Sequence, residues 1–159
     1  MDNAAMQVLT EGIIKQLSDF YKGDPWVTDN LIDKVFSLGP DIAFKKVLGH
    51  SHSIAQQVAH IRAWRNFVVQ KLTGNGNFDI KDNSLSDWLE PTDWRALSVE
   101  FETGHNNLLA AIKNFPVDQW HSTVPGRSYS FIYLISGIVE HDYYHFGQIG
   151  SILAAIKKM

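Results

Sequence analysis

The sequence predicts an all-α domain, a four-helix bundle with one long crossover connection, and three observations carry that expectation. Four segments repeat apolar residues at three- and four-residue spacing, the period of a helix with one buried face. Strand signals are weak throughout, and no internal repeat or low-complexity tract interrupts the pattern. A chain of 159 residues that is 45% hydrophobic and 19% charged is long and apolar enough to fold as one domain, here residues 1–159, without covalent staples.

The first helix runs from about Ala4 to Tyr21, with Met6, Leu9, Ile13, Leu17 and Phe20 on its inner face. Gly23-Asp24-Pro25 ends it, and a short helical piece follows at Asp29 to Leu38, stopped by Gly39-Pro40. The second long helix starts at Ser53, where Ser53-Ile54-Ala55-Gln56 has the form of a capping box. Ile54, Val58, Ile61, Phe67, Val68 and Leu72 mark its apolar face, and Gly74-Asn75-Gly76 stops it. The connection between these two helices is the long one, which places the crossover there.

A polar loop from Asn75 to Pro91 is long enough to point to function or mobility. The third helix begins after Thr92 as N-cap, carries Trp94, Leu97, Phe101, Leu108 and Ile112 inward, and ends at Pro116. A turn at Pro125-Gly126 precedes Ser130, the cap of a fourth helix reaching about Lys157. That helix is the most apolar, with Phe131, Leu134, Ile138, Ile149, Ile152, Leu153 and Ile156.

Charge and composition narrow the function. There are no cysteines, which removes disulfides, thiolate metal sites and cysteine nucleophiles. A net charge of −3, scattered along the chain, provides no basic stripe for nucleic acid. Met1-Asp2-Asn3 lacks the basic start of a signal peptide, and no apolar run reaches the roughly 20 residues of a membrane span. The expectation is a cytoplasmic protein acting on a small molecule, away from nucleic acid and membrane.

The histidines carry the chemistry. His141 and His145 stand four residues apart, so their rings leave one face of the fourth helix about one turn from each other. Leu134, Ile138, His141, His145, Gln148 and Ile152 form one stripe, so the two imidazoles interrupt the buried face. A buried imidazole needs a partner, and two neighbouring ones cannot both be charged. A divalent metal ion resolves both demands. His60 is the third candidate ligand, at similar depth on the second helix, where Gln56, His60 and Trp64 share a face with Ser53. Three histidines leave a coordination position open, the pattern of a catalytic site.

The other histidines read as support or surface: His52 as a cap or rim residue, His105 as packing or hydrogen bonding, His50 and His121 as loop residues. Asp142 lies about 100° around the helix from His141, which favours a salt bridge or cap contact over catalysis, and Arg127 reads as solvated. Gln148, Trp64 and Gln56 are candidates for contacting substrate or supporting the ligands.

His52-Ser53-Ile54 with Val58-Ala59-His60-Ile61 and Ala63-Trp64-Arg65 resembles the second-helix signature of the DinB/YfiT-like superfamily. His141-Asp142-Tyr143-Tyr144-His145-Phe146-Gly147-Gln148-Ile149 resembles its fourth-helix signature, and Pro125-Gly126-Arg127 with Tyr129-Ser130 the turn before it. The resemblance implies an antiparallel four-helix bundle, often a homodimer, with a three-histidine site for a divalent metal ion at His60, His141 and His145. Zinc, nickel and iron all suit three imidazoles. Relatives include transferases that use low-molecular-weight thiols such as bacillithiol or mycothiol, and a thiol-dependent isomerase. The expected activity is therefore a metal-dependent thiol S-transferase. The alternative is a non-catalytic bundle stabilised by its metal, or a module that senses metal or small molecules.

Overall fold

The computed structural model describes residues 3–26, 29–81 and 86–159. Its elements are helical: α1 (Asn3–Lys22), α2 (Pro40–Ala43), α3 (Ile54–Leu72), α4 (Trp94–Asn114) and α5 (Phe131–Ile156). A π-helical turn at Ile32–Phe36 and a 3₁₀ turn at Val117–Gln119 complete the set. No strand occurs among the described residues; one isolated bridge joins Thr123 to Ser130. No helix among the described residues is long and apolar enough to cross a membrane.

The local signals act where the chain places them. Ser53 caps α3 through a full capping box: its hydroxyl accepts from the Gln56 N–H at 3.2 Å, and the Gln56 amide oxygen accepts from the Ser53 N–H at 2.9 Å. Gly74, with φ of 93°, takes the left-handed conformation that ends α3. The cap of α4 is Asp93 rather than Thr92, its carboxylate accepting from the Ala96 N–H at 2.9 Å. A carboxylate adds charge to the cap bond and suits the positive end of the helix. Ser130 occupies the N-cap of α5 with extended backbone but makes no side-chain cap bond. Backbone bonds from Phe131 to Ser122 and from Ile132 to Trp120 hold that helix start instead, at 3.1 and 2.8 Å.

Helix α3 packs against α4 and α5, and α1 packs against the same two. The apolar interior divides into two clusters. One joins Met6, Ile13 and Leu17 to Phe67, Val68, Leu108, Ile112, Leu134 and Ile138. The other joins Phe20 to Ile54, Val58, Ile61, Trp94, Phe101, Phe146 and Ile149. The first half of α3 thus shares a cluster with the first half of α4 and the second half of α5.

This division relocates the lengthwise connection. Ile80 belongs to the first cluster and Leu89 packs on the second, so the described residues of the segment between α3 and α4 lie against both clusters. The longer segment after α1 stays at one end, where Leu31, Val35, Ala43 and Val47 are buried in the second cluster. Its length is used to cover that end of the core, which is why loop length alone misplaced the crossover.

Between the two clusters lies a buried polar layer. Arg65 is 1% exposed and Asp142 0% exposed. The Arg65 Nε and Nη2 donate to Asp142 Oδ2 at 2.9 and 2.7 Å, and Nη1 lies 3.0 Å from His105 Nδ1. The guanidinium also lies over Phe20 and Phe101, 5.2 and 4.8 Å from the ring centroids, and His105 stacks on Tyr21 at 4.4 Å. Asp142 therefore makes the expected salt bridge, and His105 has the expected packing and bonding role. Arg127 departs from expectation: it pairs with Asp79 and lies over the Phe67 ring, so it is held rather than solvated.

Candidate metal centre

The polar layer continues into the histidines. His60 on α3 meets His141 and His145 on α5, and one ring nitrogen from each lies within 4.8 Å of the others. His60 Nε2 and His141 Nε2 are 3.1 Å apart. The ring centroids of His145 stand 4.3 Å from His60 and 4.4 Å from His141. Helix α5 places its pair by the four-residue repeat, and packing of α3 on α5 brings His60 across to them.

The outer nitrogens of two rings are held. His60 Nδ1 lies 3.0 Å from the Asp87 carbonyl oxygen and 3.0 Å from its carboxylate Oδ1. Both are acceptors, so His60 carries its proton on Nδ1 and turns the Nε2 lone pair inward. His145 Nδ1 lies 2.8 Å from the Gln57 amide oxygen and 3.1 Å from that of Gln148, which directs its Nε2 lone pair inward in the same way. The Asp87 carboxylate also accepts from Trp64 Nε1 at 2.8 Å. His141 Nδ1 is buried and makes no hydrogen bond.

Electrostatics keeps the rings neutral. Burial pushes His141 down to about 3, reinforced by His145, His60 and Arg65. Burial also pushes His145 down to about 4, with His60 adding to the effect. His60 is lowered by burial, against the opposing pull of Asp87. Neutral imidazoles with converging lone pairs are the form that binds a metal, with no proton to displace at neutral pH.

These residues fit a divalent ion. Two nitrogens bound to one tetrahedral ion at about 2.0–2.1 Å stand roughly 3.3 Å apart, close to the His60–His141 separation. Outer nitrogens bonded to a carboxylate, a carbonyl and amide oxygens are the usual support of metal-binding imidazoles. No fourth histidine or acidic side chain joins the group among the described residues.

Two openings reach the cluster. On the His141 side, a cavity of about 160 Å³ is walled by Trp64, Tyr133, Leu134 and Ile138. On the His145 side, a polar groove of about 380 Å³ is lined by His52, Gln57, Trp88, Tyr144 and Gln148. Trp88 lies between two imidazoles, its ring 3.5 Å from His52 and 4.1 Å from His60, nearly parallel to both.

Of the supporting residues expected from sequence, Gln148 bonds His145 and Trp64 reaches the cluster through Asp87. The Gln56 side chain lies in the α3 cap, where it also donates to Glu90 at 2.6 Å and accepts from Lys46. Its neighbour Gln57 is the glutamine that meets His145. Sequence reasoning missed Gln57, Asp87 and Trp88. The capping box was the available signal that Gln56 was already engaged. The acid–aromatic pair Asp87-Trp88 lay within the polar loop marked for function, without an indication of which histidine it would meet.

Helices in a bundle, with three inward imidazoles and an open side, define a protein built around a three-histidine centre able to hold a metal ion. The sequence model of the DinB superfamily matches residues 28–149, and the chain belongs to that family. The match includes all three histidines. No curated protein and no solved structure matches the chain.

Proposed function

We propose that this protein is a metal-dependent enzyme that transfers a small-molecule thiol to an electrophilic substrate, with His60, His141 and His145 holding one divalent ion. The observation that carries the reading is the convergence of three neutral imidazoles at a centre open on two sides. A closed structural site takes four protein ligands, whereas three leave room for a reactant. The scaffold we infer is a four-helix bundle with α1 and α5 running one way and α3 and α4 the other, as the shared apolar clusters imply.

A bound divalent ion supplies Lewis acidity that lowers the pKa of a thiol or water at its open position. The chain's own residues prepare for that chemistry. Asp87 and Gln57 fix the ring tautomers, so the lone pairs stay inward. Trp88 shields the His60 face from water. The thiol's proton passes to solvent, its sulfur forms a bond to the electrophilic atom, and the leaving group departs with the electrons of the broken bond.

Elemental analysis of protein purified without a histidine tag tests the site. We expect about one metal ion per chain, lost in His141→Ala/His145→Ala. Absence of metal in the wild type after addition of zinc, nickel or ferrous iron refutes the centre. Cobalt-substituted protein then tests the thiol: a new sulfur-to-cobalt absorption band on thiol addition is expected, and an unchanged spectrum refutes thiol transfer.

A further inference from the structure

The cavity beside His141 differs in chemistry from the groove beside His145. Val68, Leu134 and Ile138 make its aliphatic wall, and Trp64, Tyr129 and Tyr133 its aromatic one. No described lining residue carries a formal charge at neutral pH. Its volume of about 160 Å³ matches the roughly 150 Å³ of an apolar cavity known to accept benzene.

A second observation lies in the backbone. Gly137 lines the cavity from the interior of α5, and a Cβ placed there meets nothing within 4 Å. Glycine inside a helix is unfavourable relative to alanine, so local structure does not call for it. Its φ is not positive, which removes the other common reason for glycine. What its missing side chain leaves open is space beside His141.

We propose that this cavity is a subsite for an uncharged, apolar group about the size of one aromatic ring, carried by the substrate that reacts at the histidine centre. Assigning the group to the electrophilic substrate rests on the thiol-transfer reading above. The polar groove on the opposite side then receives the hydrophilic thiol, so the two reactants enter by different routes. A cationic group in the cavity would lose hydration with no partner to replace it.

The test is binding of benzyl alcohol to the protein as purified, with metal content measured on the same sample. Methyl NMR shifts of Val68, Leu134 and Ile138 report on the cavity. Saturable shifts are expected, with benzylamine, a cation at neutral pH, binding at least about tenfold more weakly. Gly137→Leu should abolish the shifts and Gly137→Ala should weaken binding several-fold. Gly137→Ala adds only a methyl to open space and keeps the test valid if the leucine variant does not fold. No saturable shift, equal binding of benzylamine, or binding unchanged in Gly137→Ala overturns the proposal. A sample that binds benzyl alcohol yet takes up no metal retains the cavity and overturns the metal centre instead.

Discussion

Replacing Arg65 with methionine removes the guanidinium from the buried layer while keeping an unbranched side chain against Phe20 and Phe101. Asp142 then loses both of its donors, and its Oδ1 already makes no hydrogen bond. Stranding a fully buried charge in this way costs about 3–5 kcal/mol, a large part of the stability of a domain this size. Burial raises the Asp142 carboxyl to about 6 even with Arg65 opposing it, and without Arg65 it rises further. A carboxyl whose folded pKa is raised contributes stability at low pH that is lost as pH climbs through that pKa. The charge part of the Arg65→Met penalty therefore grows as pH rises, and is largely gone at pH 5, where the carboxyl is protonated with or without Arg65. Urea unfolding followed by far-UV circular dichroism, on wild type and variant at both pH values, measures it. The double variant Arg65→Met/Asp142→Leu should recover most of the loss at pH 8, because no charge is then left unpaired. A penalty below about 1 kcal/mol at pH 8, or one equal at both pH values, refutes the reasoning.

Metal-stripped protein should lose stability as pH falls from 6 to 4. His105, His141 and His145 have folded values of about 3, 3 and 4, so each takes up a proton on unfolding in that range, and His60 and His52, also lowered by burial, add to the uptake, whereas Asp142 releases one. The net uptake is at least about two protons, or about 3 kcal/mol per pH unit, and a flat urea midpoint from pH 6 to pH 4 would contradict it. Trp88→Ala removes the ring stacked on His52 and His60, so a chelator should strip the metal at least about tenfold faster while the metal content before chelation is unchanged. Equal stripping rates would show that Trp88 does not shield the centre.

Much of the helical architecture was legible because helix periodicity and capping are local. The Ser53–Gln56 box, the Gly74 stop and the Pro125-Gly126 turn involve residues a few positions apart, and each acts as written. The Thr92 cap was displaced by one residue because Asp93 offers a stronger acceptor. The crossover was assigned to the wrong loop because length does not say whether a segment travels or covers.

The three histidines were visible because two interrupt the buried face of one helix and the third sits at matching depth on another, readings that follow from the 3.6-residue period. Their supports were not. His60 meets Asp87 across 27 positions, Arg65 meets Asp142 across 77, and His145 meets Gln57 across 88. Such contacts depend on the register between helices and on the path of a loop, which many weak packing terms set together. The sequence by itself determined which faces are buried and which residue types interrupt them. Only the tertiary structure decided that Gln57 rather than Gln56 reaches the centre, that Arg65 and Asp142 share a buried layer, and that an apolar cavity opens beside His141.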